Sequence, residues 1–158
     1  MNEQINITNA ALEDVPTIIE LWKGLMDHHK ELDALFSRSP DGHEKFAEFL
    51  KGRIENEDSC VLVATDANDL IGYCMAGIED YPPVLVRKKY IALFGMYVAE
   101  THRRCGIGQK LIETLLRYYK GKDFDRIEVK FSTFNEPAEL FWTNMGFKPY
   151  LKTAFLEI

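Results

Sequence analysis

The sequence is poor in cysteine: Cys60, Cys74 and Cys105 form no C-x-x-C pair and no Cys/His set at metal-ligand spacing. An odd number cannot be fully paired and so few exclude a disulfide-stapled scaffold, which leads us to expect a reducing, cytoplasmic setting and no bound metal. No apolar run reaches the roughly 18 residues of a membrane span. The opening MNEQINITNA lacks the basic and apolar stretches of a signal sequence, so neither secretion nor a membrane partner is expected. Basic residues are outnumbered, 19 against 25 acidic, for a net charge of −6. That is the wrong sign for a chain living on phosphate backbones, and no nucleic-acid partner is expected. Low-complexity tracts, linker-like stretches and internal repeats are also missing.

What is present is a foldable chain. Its 158 residues, 46% hydrophobic and 12% aromatic, exclude disorder and fit a single domain over 1–158. Val15, Ile18, Ile19, Trp22, Leu25, Met26 and His29 recur at steps of three and four and predict a helix, preceded by a short strand over Gln4 to Thr8. A turn signal at Arg38 to Gly42 leads to a second helix on Phe46, Phe49, Leu50 and Ile54. Cys60 to Thr65 and Leu70 to Ile78 read as a strand hairpin. Tyr90 to Val98 is almost wholly apolar, as a strand covered on both faces would be, and its Gly95 suggests a bulge or a close backbone approach. Leu111, Ile112, Leu115, Leu116 and Tyr119 predict a helix ended by Gly121. A strand at Arg126 to Phe131, a helix from an Asn135 cap to about Met145, and a last strand at Leu151 to Ile158 complete an α+β, or mixed α/β, order with a largely antiparallel first half.

The most informative stretch is Gly106-Ile107-Gly108, between the buried strand and the start of a helix. Such a loop presents free backbone N–H groups and the positive end of the helix dipole, which suits phosphate, and Arg103 and Arg104 just ahead add charge-assisted donors. A Rossmann fingerprint needs a third glycine where Leu111 stands, and a P-loop needs Gly-Lys-Ser/Thr; neither is present. The plainer alternative is a tight turn with solvated arginines.

With its flanks, this segment resembles the GCN5-related N-acetyltransferases. Arg103-Arg104-Cys105-Gly106-Ile107-Gly108 fits the family's Arg/Gln-x-x-Gly-x-Gly/Ala loop and follows an apolar strand ending Met96-Tyr97-Val98. Further on, Asn135, Ala138, Trp142, Gly146 and Phe147 reproduce the spacing of its Asn-x-x-Ala-x-x-x-Tyr-x-x-x-Gly-Phe segment. The resemblance implies the acyl-CoA N-acyltransferase fold, a splayed sheet of six to seven strands flanked by about four helices. It also implies acetyl-CoA as co-substrate and a primary amine as acceptor. In the implied site, Met96, Tyr97 and Val98 run beside the pantetheine, with the backbone of Met96 and Val98 pairing to its amides like an added strand. Arg103, Arg104, Cys105, Gly106, Ile107, Gly108 and Gln109 surround the pyrophosphate. Asn135 contacts the pantetheine arm, caps its helix, or does both; Ala138 and Trp142 lie beside the cofactor, and Phe141 reads as a core aromatic.

Two positions depart from the family pattern. Trp142 replaces a Tyr thought to protonate the departing thiolate, and indole N–H is no general acid. Gly95 stands where relatives often carry an acidic base. Both roles are vacant or moved. Glu79 is the candidate relay for the amine proton and Tyr150 or Tyr97 the candidate acid, each with an ordinary structural reading beside it. Asp80, next to Glu79, and His28 and His29, at the end of the first long helix, are candidate acceptor contacts. Adjacent histidines on a helix point about 100° apart and close no metal site. The acceptor expected is a small-molecule or peptide amine, with net acidity leaning towards cationic ones. Rival readings are a coenzyme A binding module without turnover and a protein lysine or N-terminal acetyltransferase working with a partner. The apolar terminal segment also predicts an open sheet edge and a homodimer.

Overall fold

A computed structural model describes residues 5–158. Among the described residues five strands and four α-helices follow the periods of the sequence: β1 (Asn6–Asn9), α1 (Val15–Leu32), α2 (Gly42–Ile54), β2 (Cys60–Asp66), β3 (Asp69–Asp80), β4 (Lys89–Val98), α3 (Ile107–Tyr119), β5 (Ile127–Val129) and α4 (Glu136–Asn144). They build one mixed α/β sheet in the spatial order β1-β2-β3-β4-β5, antiparallel except for the parallel β4/β5 pair. β2 and β3 are apolar without alternation because helices cover both faces. Leu62, Cys74, Ala76, Ile91 and Leu93 point towards α3 and α4, and Val61, Val63, Tyr73 and Met75 towards α1 and α2. The stripe Ile107, Leu111, Ile112, Leu115 and Tyr119 buries one face of α3, each large side chain contributing roughly 1.5–3 kcal/mol. No helix among the described residues is long and apolar enough to cross a membrane.

β4 changes register at its centre. Ala76 pairs with Leu93 and Met75 with Gly95, so Phe94 has no partner opposite and forms the bulge suggested by Gly95. Before it, Ile91 N–H points to β5, donating to the Arg126 carbonyl at 3.0 Å; after it, Ala99 N–H points to β3, donating to the Ile71 carbonyl at 2.8 Å. Backbone groups alternate sides along a strand, so the extra residue turns Met96 and Val98 towards the β5 side. The β4/β5 pairing stops at Leu93↔Val129, and beyond it no strand among the described residues pairs with that side of β4.

Two expectations are corrected. Leu151 to Ile158 is not a strand: all eight residues are exposed and irregular. Among the described residues the sheet therefore has five strands, not six or seven. An extended apolar segment becomes a strand only by pairing, and β5, at three residues where Arg126 to Phe131 was expected, offers it few ladder bonds. Of the first expected strand, Gln4 lies outside the described residues, and the strand observed is Asn6–Asn9.

Candidate active site

At the open side of β4 the chain passes directly into the glycine loop. Gly106 takes φ +77°, the left-handed conformation that glycine adopts freely, and caps α3 with no side-chain hydrogen bond. The first bond within the helix is Lys110 N–H to the Gly106 carbonyl at 3.0 Å, which leaves the amides of Ile107, Gly108 and Gln109 without helix partners. Arg104 is also left-handed, at φ +62°, a strained conformation for a side-chain-bearing residue. A Cβ on Gly106 would meet nothing within 4 Å, so the space above the loop is clear. Gly108 is tighter, since a Cβ there would lie 3.3 Å from the Phe141 ring and 3.5 Å from Met96 Cε.

The side chains around the loop fall into two groups. Arg103 folds back: its Nε donates to the Val98 carbonyl at 3.0 Å and its guanidinium lies 5.1 Å from the Tyr97 ring centroid. Arg104 and Cys105 are exposed, and Gln109 donates to Glu113 at 2.8 Å. Asn135 is buried and its Oδ1 accepts from Ala138 N–H at 3.2 Å, which is the capping bond expected of it. Trp142 is buried against Phe141 and Phe147 in the core beneath α3. Phe141, read from the sequence as core, is the one of the two aromatics that reaches Gly108. The left-handed Gly146 ends α4, with Phe147 N–H donating to the Trp142 carbonyl at 2.9 Å.

On the α1/α2 face, the first half of β4 borders a different surface. Gly77, Ala92 and Glu128 lie side by side across β3, β4 and β5. The small residues leave space that longer neighbours enter. Arg53 of α2 lies 4.4 Å from the Phe94 centroid and 4.9 Å from that of Phe49, and its Nη2 donates to Glu79 at 3.2 Å. Glu128 accepts hydrogen bonds from Tyr81, from Tyr150 at 2.8 Å and from Arg126 at 2.9 Å. Desolvation works to raise the Glu128 pKa, but those three donors outweigh it and the net shift is downward. Burial, then Glu128, pushes the Tyr81 phenol up to about 12. The Tyr150 phenol is raised chiefly by its bond to Glu128, so its proton is held by that carboxylate.

Glu79 and Tyr150 thus share one neighbourhood, both acting on Tyr90, whose phenol is raised by burial first and then by Glu128, Glu79 and Tyr150. Asp80 is exposed, 3.9 Å from Lys89. His28 and His29 stand outside this group: His29 packs 5.6 Å from the Phe36 centroid, and burial, then His28, lowers its pKa. Arg53, Tyr81, Tyr90, Arg126 and Glu128 were not singled out from the sequence. The available signal was Arg126-x-Glu128, whose spacing of two puts both on one face of a strand.

The model of the Acetyltransferase (GNAT) family matches residues 22–147. The chain belongs to that family. Human N-acetyltransferase 8 is 26% identical over 102 residues, which are 65% of this chain and 44% of that protein, so the chain spans less than half the length of this curated relative. Among solved structures, a tetramutant of the BH1408 protein from Bacillus halodurans superposes with a TM-score of 0.84 at 24% identity, covering 97% of this chain and 99% of that one. The aminoglycoside antibiotic 6'-N-acetyltransferase AAC(6')-Ih from Acinetobacter baumannii gives 0.76 at 16% identity, with 98% of each chain covered. A predicted acetyltransferase from Clostridium acetobutylicum, solved with acetyl-CoA, gives 0.76 at 18%, covering 98% of this chain and 96% of that one. At these identities the likeness shows the fold alone.

Proposed function

We propose that the protein is an acyltransferase that moves the acetyl group of acetyl-CoA to a primary amine by direct attack in a ternary complex. The observation that carries this reading is the side of β4 at Met96 and Val98 that no strand pairs, with Arg103 Nε on the Val98 carbonyl, running straight into the uncapped start of α3. Amides along the strand suit the pantetheine arm, and the free N–H groups of Ile107, Gly108 and Gln109, with Arg104 beside them, suit the pyrophosphate. Acetyl-CoA supplies an activated acyl carbon. The neutral amine attacks it, the carbon–sulfur bond breaks as the carbon–nitrogen bond forms, and the amine proton leaves to water, with Glu79 as the proposed relay. Coenzyme A departs as a thiolate of pKa about 8.5, a leaving group that needs no obligatory acid. Positioning supplies the larger share of such rate enhancements, which fits a site with Gly95 at the usual base position and Trp142 at the usual acid position.

A small cationic amine is the acceptor proposed: the faces of Tyr81 and Tyr90 and the net acidity of the chain favour positive charge, with Glu79 and Glu128 each already paired to an arginine. The aminoglycoside acetyltransferase among the structural neighbours is consistent with that class. Calorimetry with acetyl-CoA, followed by turnover against a panel of polyamines, amino sugars and lysine peptides, tests the proposal. Gly106→Val strains the loop and obstructs the approach to it, and is expected to weaken acetyl-CoA at least about tenfold. Unchanged affinity in the folded variant overturns the assigned site. Tight cofactor binding without acetylation of any amine favours instead a coenzyme A binding module, the reading to which Gly95 and Trp142 would then point.

A further inference from the structure

Among the described residues three glycines stand within strands, Gly72 and Gly77 on β3 and Gly95 on β4. For the first two, the protein's own packing accounts for the residue. A Cβ would lie 3.0 Å from the Tyr97 carbonyl oxygen at Gly72 and 2.6 Å from Arg53 Nη1 at Gly77. Gly95 is different. It is not one of the left-handed glycines, which are Gly106, Gly121 and Gly146. A Cβ on it would stand 3.5 Å from the Tyr73 hydroxyl and 3.9 Å from Leu25 Cδ2, ordinary van der Waals contact. The bulge does not ask for it either, since the residue left without a partner is Phe94. A glycine inside a strand lowers stability, so its presence without a conformational or packing reason points to the close approach of a ligand.

The bare face of Gly95 looks towards α1 and α2, because Gly95 pairs with Met75 and paired residues share a face. The atoms nearest its missing Cβ belong to Tyr73 and Leu25. Neither is charged: burial raises the pKa of the Tyr73 phenol and keeps it neutral. Under the proposed function, on which this inference rests, the cofactor arm enters at the α3 loop and runs back along β4 past Val98 and Met96. Its thioester end therefore arrives at Gly95. We propose that the bare Cα of Gly95 opens an acyl recess, walled by Tyr73 and Leu25, which makes Gly95 a specificity-determining residue that admits acyl groups longer than acetyl. The donor class is short-chain acyl-CoA, with propionyl-CoA the member that fills the room of one missing side-chain carbon. An uncharged, apolar wall suits an alkyl chain and disfavours the cationic end of the acceptor. The transfer balances as it does for acetyl: the amine nitrogen bonds to the acyl carbon, the carbon–sulfur bond breaks, coenzyme A leaves as the thiolate and the amine proton passes to water.

Calorimetry with free coenzyme A, acetyl-CoA, propionyl-CoA and butyryl-CoA tests the recess without an acceptor. The wild-type chain is expected to bind propionyl-CoA about fourfold more tightly than acetyl-CoA, the contribution of one buried methylene. The methyl of Gly95→Ala stands in ordinary contact and displaces nothing, but it occupies the recess. That variant is expected to reverse the order of the two donors, changing the propionyl-to-acetyl affinity ratio about tenfold. Leu25→Ala widens the α1 wall and should move the butyryl-to-acetyl ratio in the opposite direction. Each ratio compares two donors on one protein sample, so a partial loss of folded protein cancels, and melting checks that each variant is folded. A ratio equal in the wild type and in Gly95→Ala overturns the inference. So does a wild-type protein that binds free coenzyme A and acetyl-CoA but binds propionyl-CoA about tenfold or more weakly, a result that leaves the cofactor site standing. Binding of no coenzyme A species overturns the cofactor site itself, and the recess with it.

Discussion

A Cβ on Gly77 would lie 2.6 Å from Nη1 of Arg53, and it would also stand 2.9 Å from the Phe94 ring and 3.0 Å from Ser59 Oγ. Glycine on β3 is therefore what lets the α2 guanidinium reach across to Glu79. The arginine end can swing away, but swinging breaks the Arg53–Glu79 pair, and the Phe94 ring, packed edge-on against Phe49, must shift as well. Gly77→Ala is expected to lower stability by about 1–3 kcal/mol, overpacking exceeding the gain from a stiffer unfolded chain. Gly52, on the exposed side of α2 with nothing within 4 Å of its Cβ position, is the control. Gly52→Ala should stabilise by roughly 0.5–1 kcal/mol. Denaturant unfolding of both variants separates local crowding from general backbone effects, and equal shifts would count against the crowding.

Trp142 is 6% exposed, with its ring 4.8 Å from that of Phe141 and 5.2 Å from that of Phe147. This is a packed wall, and its indole N–H, a hydrogen-bond donor only, does not ionise near neutral pH. Trp142→Phe leaves a void and should cost about 1–3 kcal/mol of stability, with kcat changed less than about tenfold. A loss of kcat beyond about a hundredfold with stability and cofactor affinity intact would falsify the wall assignment.

The Glu128 carboxylate predicts a pH dependence of stability. Its folded pKa is depressed below the ordinary value of 4.5 because three donors outweigh desolvation, so the native state favours the charged form. The resulting stabilisation is fully present above about pH 4.5 and is lost as pH falls through the lower folded value. Glu128→Gln should remove this acid limb and cost about 1–3 kcal/mol at neutral pH, where it weakens charge-assisted bonds to groups that are partly buried. Unfolding midpoints measured between about pH 3 and 7 check both statements. An acid limb of the same size in the variant would assign the effect to other carboxylates.

The parts of the site legible in the sequence are those whose chemistry is local. A strand, a left-handed glycine and a helix start within a few residues specify the loop proposed to hold the pyrophosphate with no knowledge of the rest of the chain, and Asn135 caps its helix through a bond three residues long. Gly95 signalled a bulge, and the bulge at Phe94 turns Met96 and Val98 to the open side. What escaped depends on partners distant in sequence. Glu128 sits on a three-residue strand where a charged residue ordinarily means a solvated edge, and only Tyr81 and Tyr150 beside it show otherwise. Gly77 carries no sign that Arg53 will need its space. The segment from Leu151 to Ile158 has the composition of a strand, but pairing requires an edge that composition does not name.

Glu79 gives the sharpest test of the proposed proton path. Its Oε1 accepts from Arg53 at 3.2 Å, and its strand position pairs with Tyr90 at the margin of the proposed acceptor surface. Glu79→Gln keeps the shape and a hydrogen-bond acceptor while removing the base. If the carboxylate relays the amine proton, kcat should fall by about 10²-fold with acetyl-CoA affinity unchanged. Raising the pH, which supplies more neutral amine, should recover part of the loss. A purely structural role through Arg53 would instead lower stability and shift kcat little, with no change in the shape of the pH profile. Parallel measurement of kcat against pH and of the unfolding midpoint in Glu79→Gln and Arg53→Lys distinguishes the two. An unaltered profile and rate in a stable Glu79→Gln protein removes Glu79 from the reaction and leaves water as the proton acceptor.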